Sequence, residues 1–161
     1  MRAAPDPDPA VARVRAALEA HGLADGVTVL ADTTRTATDA ASALGCAVAQ
    51  IVKSLVFRAP ATDRAVLVLA SGAHRVDPAV VGAKVGEDIE QADARFVRER
   101  CGFEFGGVAP VGHLTPPVAF VDETLFDHDV IWAAGGSPHA VFSLTPAELA
   151  AITGATVGPV R

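Results

Sequence analysis

Lys53 is the residue whose type and surroundings point most directly to chemistry, in a chain with 11 arginines and only two lysines. It lies in segment 50–57, where alternation predicts a β-strand with Ile51, Leu55 and Phe57 on the face that carries the lysine. Burying an ammonium group is costly unless the group is paired or reaches water. Two interpretations stay open: a side chain that extends from a half-exposed sheet edge to water, or a cation at the bottom of a pocket that meets an anionic or carbonyl oxygen.

A second candidate is the segment Gly135-Gly136-Ser137-Pro138-His139. It separates two predicted strands, and its glycines and proline predict a rigid turn whose backbone N–H groups can be left free for a ligand. The alternative is an ordinary hairpin turn that binds nothing.

The glycine-rich segment 102–113 is a third candidate, because Gly106 and Gly107 allow a ligand to approach the backbone closely. By itself the signal is weak, since the segment lacks the G-x-x-x-x-G-K-S/T spacing of a phosphate-binding P-loop. The chain continues to Pro117 without a helical or strand period. Loops longer than about 12–15 residues inside compact domains are usually functional or disordered.

No spacing in the sequence predicts a metal site, a cofactor site or a protein nucleophile. The chain has no H-x-x-x-H or H-E-x-x-H pattern, no paired cysteine and histidine spacing, and no G-x-S-x-G elbow. His74 and His113 lie in predicted loops, where contact with a ligand stays open. Cys46 and Cys101 form no motif, which fits a reducing cytoplasm and gives no support for a catalytic thiol.

The composition excludes two broad classes of protein. The 161 residues carry a net charge of −6 and an isoelectric point of about 5.2, whereas domains that hold nucleic acid by bulk charge are basic. A local contact with a few phosphates is compatible with this charge. No apolar stretch approaches the ~18–20 residues of a membrane-spanning helix, and residues 1–10 lack the apolar run of a signal peptide. We therefore expect a cytoplasmic protein that binds neither DNA nor membranes.

The order of predicted elements favours an α+β fold with a mixed β-sheet. Residues 1–9 predict a flexible tail and residues 10–161 a single domain, because domains cluster near ~100–150 residues. Several strands follow one another directly, so hairpins must occur, which disfavours a doubly wound parallel sheet. Predicted helices begin near Pro9, Thr36, Asp77, Gln91 and Thr145, and predicted strands cover 27–30, 50–57, 65–70, 118–121, 130–134 and 140–142.

Four landmarks in this order resemble the YbaK/prolyl-tRNA-editing domain family, freestanding relatives of the editing domain inserted in bacterial prolyl-tRNA synthetases. The resemblance runs from about residue 36 to residue 157 and implies that family's α+β fold, with a mixed, curled β-sheet and flanking helices. The landmarks are Ala40-Ala41-x-x-Leu44-Gly45 with Gln50-Ile51-Val52-Lys53-Ser54-Leu55-Val56-Phe57, then Ser71-Gly72, then Gly102-Phe103-x-x-Gly106-Gly107-Val108-x-Pro110-x-Gly112, and finally Gly135-x-x-Pro138-His139.

The resemblance implies a hydrolase that deacylates mischarged aminoacyl-tRNA, typically tRNA(Pro). Lys53 matches the family's essential lysine, and segment 135–139 matches its G-x-x-P-H motif. The cysteine-specific YbaK branch lacks a clean version of this motif, so its presence points to branches that remove alanine or another small amino acid. The resemblance gives Lys53, Gly135 and His139 as expected catalytic residues, and Gly106, Gly107, Gly136, Ser137 and Pro138 as expected substrate-binding residues.

The chemistry of the motifs suits this reaction. An aminoacyl ester is already activated, so the protein mainly positions it and stabilises an oxyanion, to which one hydrogen-bond donor contributes roughly 10²–10³ in rate. Backbone N–H groups of segment 135–139 could supply such donors, and Lys53 could bind the terminal phosphate or nearby oxygens. In the family, the ribose hydroxyl of the substrate is thought to activate water. The resemblance also implies that the acceptor end of a mischarged tRNA enters the site, that prolyl-tRNA synthetase is a partner, and that no cofactor is needed.

Two other functions stay open. One is a non-catalytic module of the same fold that binds aminoacyl-tRNA, a nucleotide or a synthetase, and the other is a hydrolase of a different small ester. Retention of Lys53 together with an intact segment 135–139 favours a hydrolase over a module, because a module could lose either feature.

Overall fold

The first helix begins slightly before the predicted domain boundary. The computed structural model describes residues 8–23, 26–31 and 33–161. Asp8 is the N-cap of α1 (Pro9–Ala20), and its carboxylate accepts a hydrogen bond from the Ala10 N–H at 2.9 Å. Of the predicted tail, residues 1–7 lie outside the described residues, whereas Asp8 and Pro9 belong to the start of this helix. Proline suits this position because the first turn leaves its N–H groups without a helical partner.

A five-stranded mixed sheet forms the larger β-layer. Its centre is the predicted hairpin, which consists of β2 (Val52–Ala59) and β3 (Arg64–Ser71). β5 (Val118–Asp122) pairs in parallel with β3, and β8 (Thr156–Gly158) pairs in parallel with β5. At the other edge β4 (Glu90–Gln91) pairs antiparallel with β2. The predicted mixed sheet is therefore confirmed.

The remaining strands form a second sheet instead of extending the first. β1 (Thr28–Val29), β6 (Ile131–Ala134) and β7 (Ala140–Leu144) pair antiparallel in the order β1-β7-β6. An isolated bridge between Ile51 and Trp132 connects this sheet to the N-terminal end of β2.

Most predicted helices are confirmed, and their caps follow the expected chemistry. The Thr36 hydroxyl accepts a hydrogen bond from the Asp39 N–H at 3.0 Å and caps α2 (Ala37–Leu44). The helix predicted to begin near Gln91 begins at Ala94 instead, because Gln91 pairs in β4. Its first turn, α4 (Ala94–Phe96), continues as a π-helical turn over Val97–Cys101. In the described part of the chain, no helix is long and apolar enough to span a membrane. The helices after α1 are α2 (Ala37–Leu44), α3 (Pro78–Val85), α4 (Ala94–Phe96) and α5 (Pro146–Thr153).

The two faces of β2 pack into different parts of the core, as the alternation predicted. Val52 and Val56 belong to the main core, which fills the space between the two sheets and α1. Phe57 packs on the opposite face, in the cluster that includes Val81 of α3. Lys53 lies on this second face and is half-buried. The strand therefore holds the lysine at a fixed place beside the junction of the two sheets.

Candidate active site

An open cavity lies where the two sheets meet α2. Most of its wall is apolar, with Leu44 of α2, Ile51 before β2 and Trp132 of β6 among the larger side chains. An apolar wall with a few polar groups is typical of small-molecule sites. The residues with polar side chains that line the cavity in the described part of the chain are Thr34, Thr36, Lys53, Ser54 and Trp132.

Lys53 lines this cavity, which fits the second of its two interpretations. Its Nζ donates a hydrogen bond to the backbone carbonyl of His74, in the loop after β3. An ammonium has three N–H donors, and among the described residues only the His74 carbonyl accepts from one of them, so two stay available to a ligand. Desolvation lowers the pKa of Lys53 below its ordinary value, while the negative charge of Asp122 raises it and the positive charge of Arg75 lowers it further. The site thus holds a partly desolvated cation.

Ser54 adds an unsatisfied polar group to the same wall. Its hydroxyl is buried and finds no hydrogen-bond partner among the described residues. Buried polar groups are nearly always paired, and leaving one unpaired costs about 1–3 kcal/mol. Sequence reasoning did not single out Ser54, and its only signal was that it follows Lys53 directly.

Asp122 organises a polar cluster beside the lysine that sequence reasoning also missed. This carboxylate ends β5 and is only 2% exposed. Its Oδ2 accepts from the Ser71 N–H at 3.1 Å and lies 3.2 Å from Nδ1 of His74, while its Oδ1 accepts from the N–H and hydroxyl of Thr124 at 3.0 and 2.8 Å. Burial raises the pKa of Asp122, but hydrogen bonds from Thr124, Ser71 and His74 outweigh this effect and hold it below its ordinary value. The cluster therefore carries a stable negative charge.

Segment 135–139 lies behind the cavity wall. The residues at its two ends, Ala134 of β6 and Val141 of β7, line the cavity, and the described lining includes no residue of the segment itself. Thr34 connects the two, because it lines the cavity while its N–H and hydroxyl donate to the Pro138 carbonyl at 2.5 and 2.8 Å. The segment thus supports the wall through Thr34.

Two backbone donors expected to be free in this segment are used within the fold. The Gly135 N–H donates to the Ala140 carbonyl at 2.7 Å, and the His139 N–H donates to the Ser137 hydroxyl at 3.2 Å. The Nδ1 atom of His139 lies 3.2 Å from the Leu30 carbonyl, so that nitrogen is the donor of this pair. These bonds make the segment rigid. Because the N–H groups of Gly135 and His139 already have acceptors, they are not free to bind a ligand.

The two glycine-rich segments meet each other. Gly106 lines the cavity, while Gly107 packs so closely on the other segment that an added β-carbon would lie 2.8 Å from Ser137 Cα. Gly136 is buried against α1. Of the residues predicted for the site, the structure therefore places Lys53 and Gly106 in the cavity and the others in the layer that supports it.

No histidine lines the cavity in the described part of the chain. His113 packs inside its own loop, with Nε2 2.6 Å from the Ala109 carbonyl and its ring edge-on to Phe103. Burial lowers the pKa of His113, since it disfavours the imidazolium. Over residues 8–23, 26–31 and 33–161 no group of three or more histidine, cysteine or acidic side chains could hold a metal ion.

Comparison with known proteins places this site in a family. Residues 22–152 match the family model of the aminoacyl-tRNA editing domain. The chain belongs to this family. The identification made from the four landmarks is thereby confirmed, and the cavity around Lys53 is the candidate active site of an editing domain.

Solved structures share this editing-domain fold over nearly the whole chain. One, with 46% identity and a TM-score of 0.89, covers 97% of this chain and 99% of its own, and is provisionally described as a trans-editing enzyme for prolyl-tRNA synthetase. Another, the hypothetical protein APE2540, has 30% identity and a TM-score of 0.85, over 92% of this chain and 98% of its own. The uncharacterized protein YwhH of Bacillus subtilis (strain 168) is 31% identical over 123 residues, 76% of this chain and 78% of that protein. The predicted α+β fold class is confirmed.

Proposed function

We propose that this editing domain is a trans-editing hydrolase that removes a small wrong amino acid, such as alanine, from tRNA(Pro). The observation that carries the proposal is the half-buried Lys53, which lines an apolar cavity and has two ammonium N–H donors without an acceptor among the described residues. In a family that edits aminoacyl-tRNA, such a cation suits the oxygens of an ester. The similarity to a protein provisionally described as a trans-editing enzyme for prolyl-tRNA synthetase supports tRNA(Pro) as the substrate.

In this proposal Lys53 binds the reacting end of the substrate and stabilises negative charge. Hydrolysis of an ester passes through an oxyanion, and a donor fixed beside it lowers the barrier more than a mobile one in water. In the described part of the chain, no carboxylate lines the cavity to act as a general base. Activation of water by the ribose hydroxyl of the substrate fits this arrangement.

We assign the G-x-x-P-H segment to the shape of the site. Gly135 and His139 fix the segment through their backbone bonds, and Pro138 holds Thr34 in the cavity wall. A wall supported in this way cannot repack easily around a larger side chain. It admits alanine and excludes the ring of proline, which is the correct amino acid on tRNA(Pro).

The acceptor end of the tRNA is proposed to cross the cavity rim at Gly106. The Arg35 side chain lies against this glycine, since an added β-carbon there would be 2.9 Å from Arg35 Cγ. Phe105, the preceding residue, is 52% exposed, although it is aromatic. A guanidinium can bind a phosphate, and an exposed ring can stack on a base. A contact limited to the acceptor end is compatible with the net charge of −6.

A panel of single-turnover deacylation assays tests the function. The substrates are tRNA(Pro) charged with alanine, cysteine, serine, threonine or proline, together with Ala-tRNA(Ala) as a control for the tRNA. We expect Ala-tRNA(Pro) to be hydrolysed fastest and Pro-tRNA(Pro) to be spared. If the protein binds Ala-tRNA(Pro) but hydrolyses none of these esters, it is a non-catalytic module and the proposal is wrong.

A further inference from the structure

The ammonium of Lys53 is held by a carbonyl that belongs to an anchored loop. A lysine side chain has four rotatable bonds, so a single hydrogen bond to a mobile loop would not fix its end. Its acceptor is the His74 carbonyl, three residues after β3 ends at Ser71. Whatever holds His74 in place therefore also places the ammonium in the cavity.

Asp122 holds this loop at two points. β3 and β5 pair in parallel, with Leu69 opposite Val121, so Asp122 and Ser71 end neighbouring strands. One carboxylate oxygen accepts from the Ser71 N–H at the start of the loop and contacts the His74 ring at 3.2 Å.

The hydrogen-bond pattern fixes which nitrogen of His74 carries a proton. The Thr124 hydroxyl donates to Oδ1 of Asp122 at 2.8 Å. The hydroxyl oxygen of Thr124 also lies 3.0 Å from Nδ1 of His74. Because the only proton of this hydroxyl is already donated to Asp122, Nδ1 must be the donor. Nδ1–H is thus shared between Thr124 and Asp122, which holds the ring in one orientation.

We propose that Asp122 is a positioning residue for Lys53 and acts through His74 and Thr124 to hold the ammonium in the cavity. This inference rests on the proposed function for its meaning in catalysis, although the contacts themselves do not depend on it. The carboxylate does not line the cavity, so its role is to place the cation and to balance its charge.

The charge of Asp122 gives the inference an independent readout. The charged groups that act on Lys53 are Asp122, which raises its pKa, and Arg75, which lowers it, against a background of desolvation. Replacing the carboxylate by an amide removes the only one of these influences that favours the ammonium. Asp122→Asn should therefore lower the pKa of Lys53 further.

The presence of only two lysines makes this pKa directly measurable. Protein labelled with ¹³C-lysine gives two ε-carbon signals in an NMR titration, and Lys84→Arg assigns them. Lys84 bonds the Pro159 carbonyl and serves as the internal reference. We expect Asp122→Asn to lower the pKa of Lys53 and leave that of Lys84 unchanged. The matched control, Asp129→Asn, removes an exposed carboxylate and should leave both unchanged.

Single-turnover deacylation of Ala-tRNA(Pro) then separates positioning from charge. Asp122→Asn should lower the rate constant at saturation by about 10- to 100-fold with little change in the half-saturating concentration. A misplaced Lys53 ammonium slows the chemical step in the bound complex more than it weakens binding. Thr124→Val keeps the negative charge of Asp122. It removes the Thr124 hydroxyl, and with it the hydrogen bond to the Asp122 carboxylate and the contact with His74. It should lower the rate while leaving the pKa of Lys53 near the wild-type value.

The results for the two variants decide whether Asp122 positions Lys53. An unchanged Lys53 titration in folded Asp122→Asn, or wild-type rates in both variants, overturns the inference. If Asp122→Asn does not fold, the rate of Thr124→Val decides. If the wild-type protein has no deacylase activity, the proposed function fails, and the NMR titration alone decides whether Asp122 controls the ammonium.

Discussion

Gly107 and Ser137 are in direct backbone contact, and this contact joins the two glycine-rich segments of the chain. A β-carbon at position 107 would lie 2.8 Å from Ser137 Cα and 2.9 Å from its carbonyl carbon. Both are backbone atoms, so a larger residue could be accommodated only by moving one segment. Gly107 follows Gly106 of the cavity wall, and its contact with Ser137 fixes this part of the wall to segment 135–139, which supports Thr34.

Gly107→Ala is therefore expected to destabilise the fold. Overpacking at a well-packed contact costs typically ~1–3 kcal/mol in the free energy of unfolding. Chemical denaturation measures it, with Gly26→Ala as the matched control, because a β-carbon there meets its nearest atom at 3.6 Å. A Gly107→Ala variant as stable as Gly26→Ala would show that the two segments are not held together as described.

The Cys101 thiol predicts a stability change at alkaline pH. Burial raises its pKa from 9.0 to about 11, against the opposing effect of the Arg100 charge. The folded state thus binds the thiol proton more tightly than the unfolded state does. This stabilisation is fully present below pH 9 and is lost as the pH rises to about 11.

Denaturation curves between pH 9 and about 11 test this effect. The free energy of unfolding should fall more steeply with pH in the wild-type protein than in Cys101→Ala, because all other groups that titrate at alkaline pH are present in both proteins. Cys46 is only half-buried, so Cys46→Ala should change the slope less. Parallel slopes for wild type and Cys101→Ala would contradict the assignment.

Phe105 is expected to contribute to tRNA binding and not to the fold. Base–aromatic stacking contributes about 1–3 kcal/mol per base, so Phe105→Ala should weaken binding of Ala-tRNA(Pro) by roughly 5- to 150-fold. Phe126→Ala is the matched control, because this phenylalanine is also exposed, at 44%, and follows β5. Equal Kd values for the two variants would place the acceptor end elsewhere.

Much of the fold could be predicted because local chemistry determined it. Thr36 and Asp77 cap helices as their sequence patterns indicated, and alternation placed Lys53 on its correct face. β4 and β8 were missed because two or three residues show no period. The separation of the strands into two sheets depends on the packing of distant segments, which no local pattern reveals.

The candidate site was predictable only where one residue carried the signal. Lys53 stood out because it lies among apolar neighbours. Asp122 and Thr124 did not stand out, and His74 stood out only as a histidine in a loop, because parallel pairing of β3 and β5 brings these residues together from distant positions. A β-carbon on Gly135 would lie 3.1 Å from side-chain atoms of Ala140 and Val27, which belong to the core. The sequence likewise did not reveal that Gly135 faces the core and not the cavity.

The central claim is that the Lys53 ammonium serves the reaction and not the fold, and Lys53→Met tests it most directly. Methionine keeps an unbranched side chain of similar length without the charge. The measurement is release of labelled alanine from Ala-tRNA(Pro) under single-turnover conditions, beside thermal melting and with Lys84→Met as the matched control. We expect a rate at least ~100-fold below wild type for Lys53→Met, a Tm close to wild type, and full activity for Lys84→Met. Hydrolysis by Lys53→Met at the wild-type rate would contradict it.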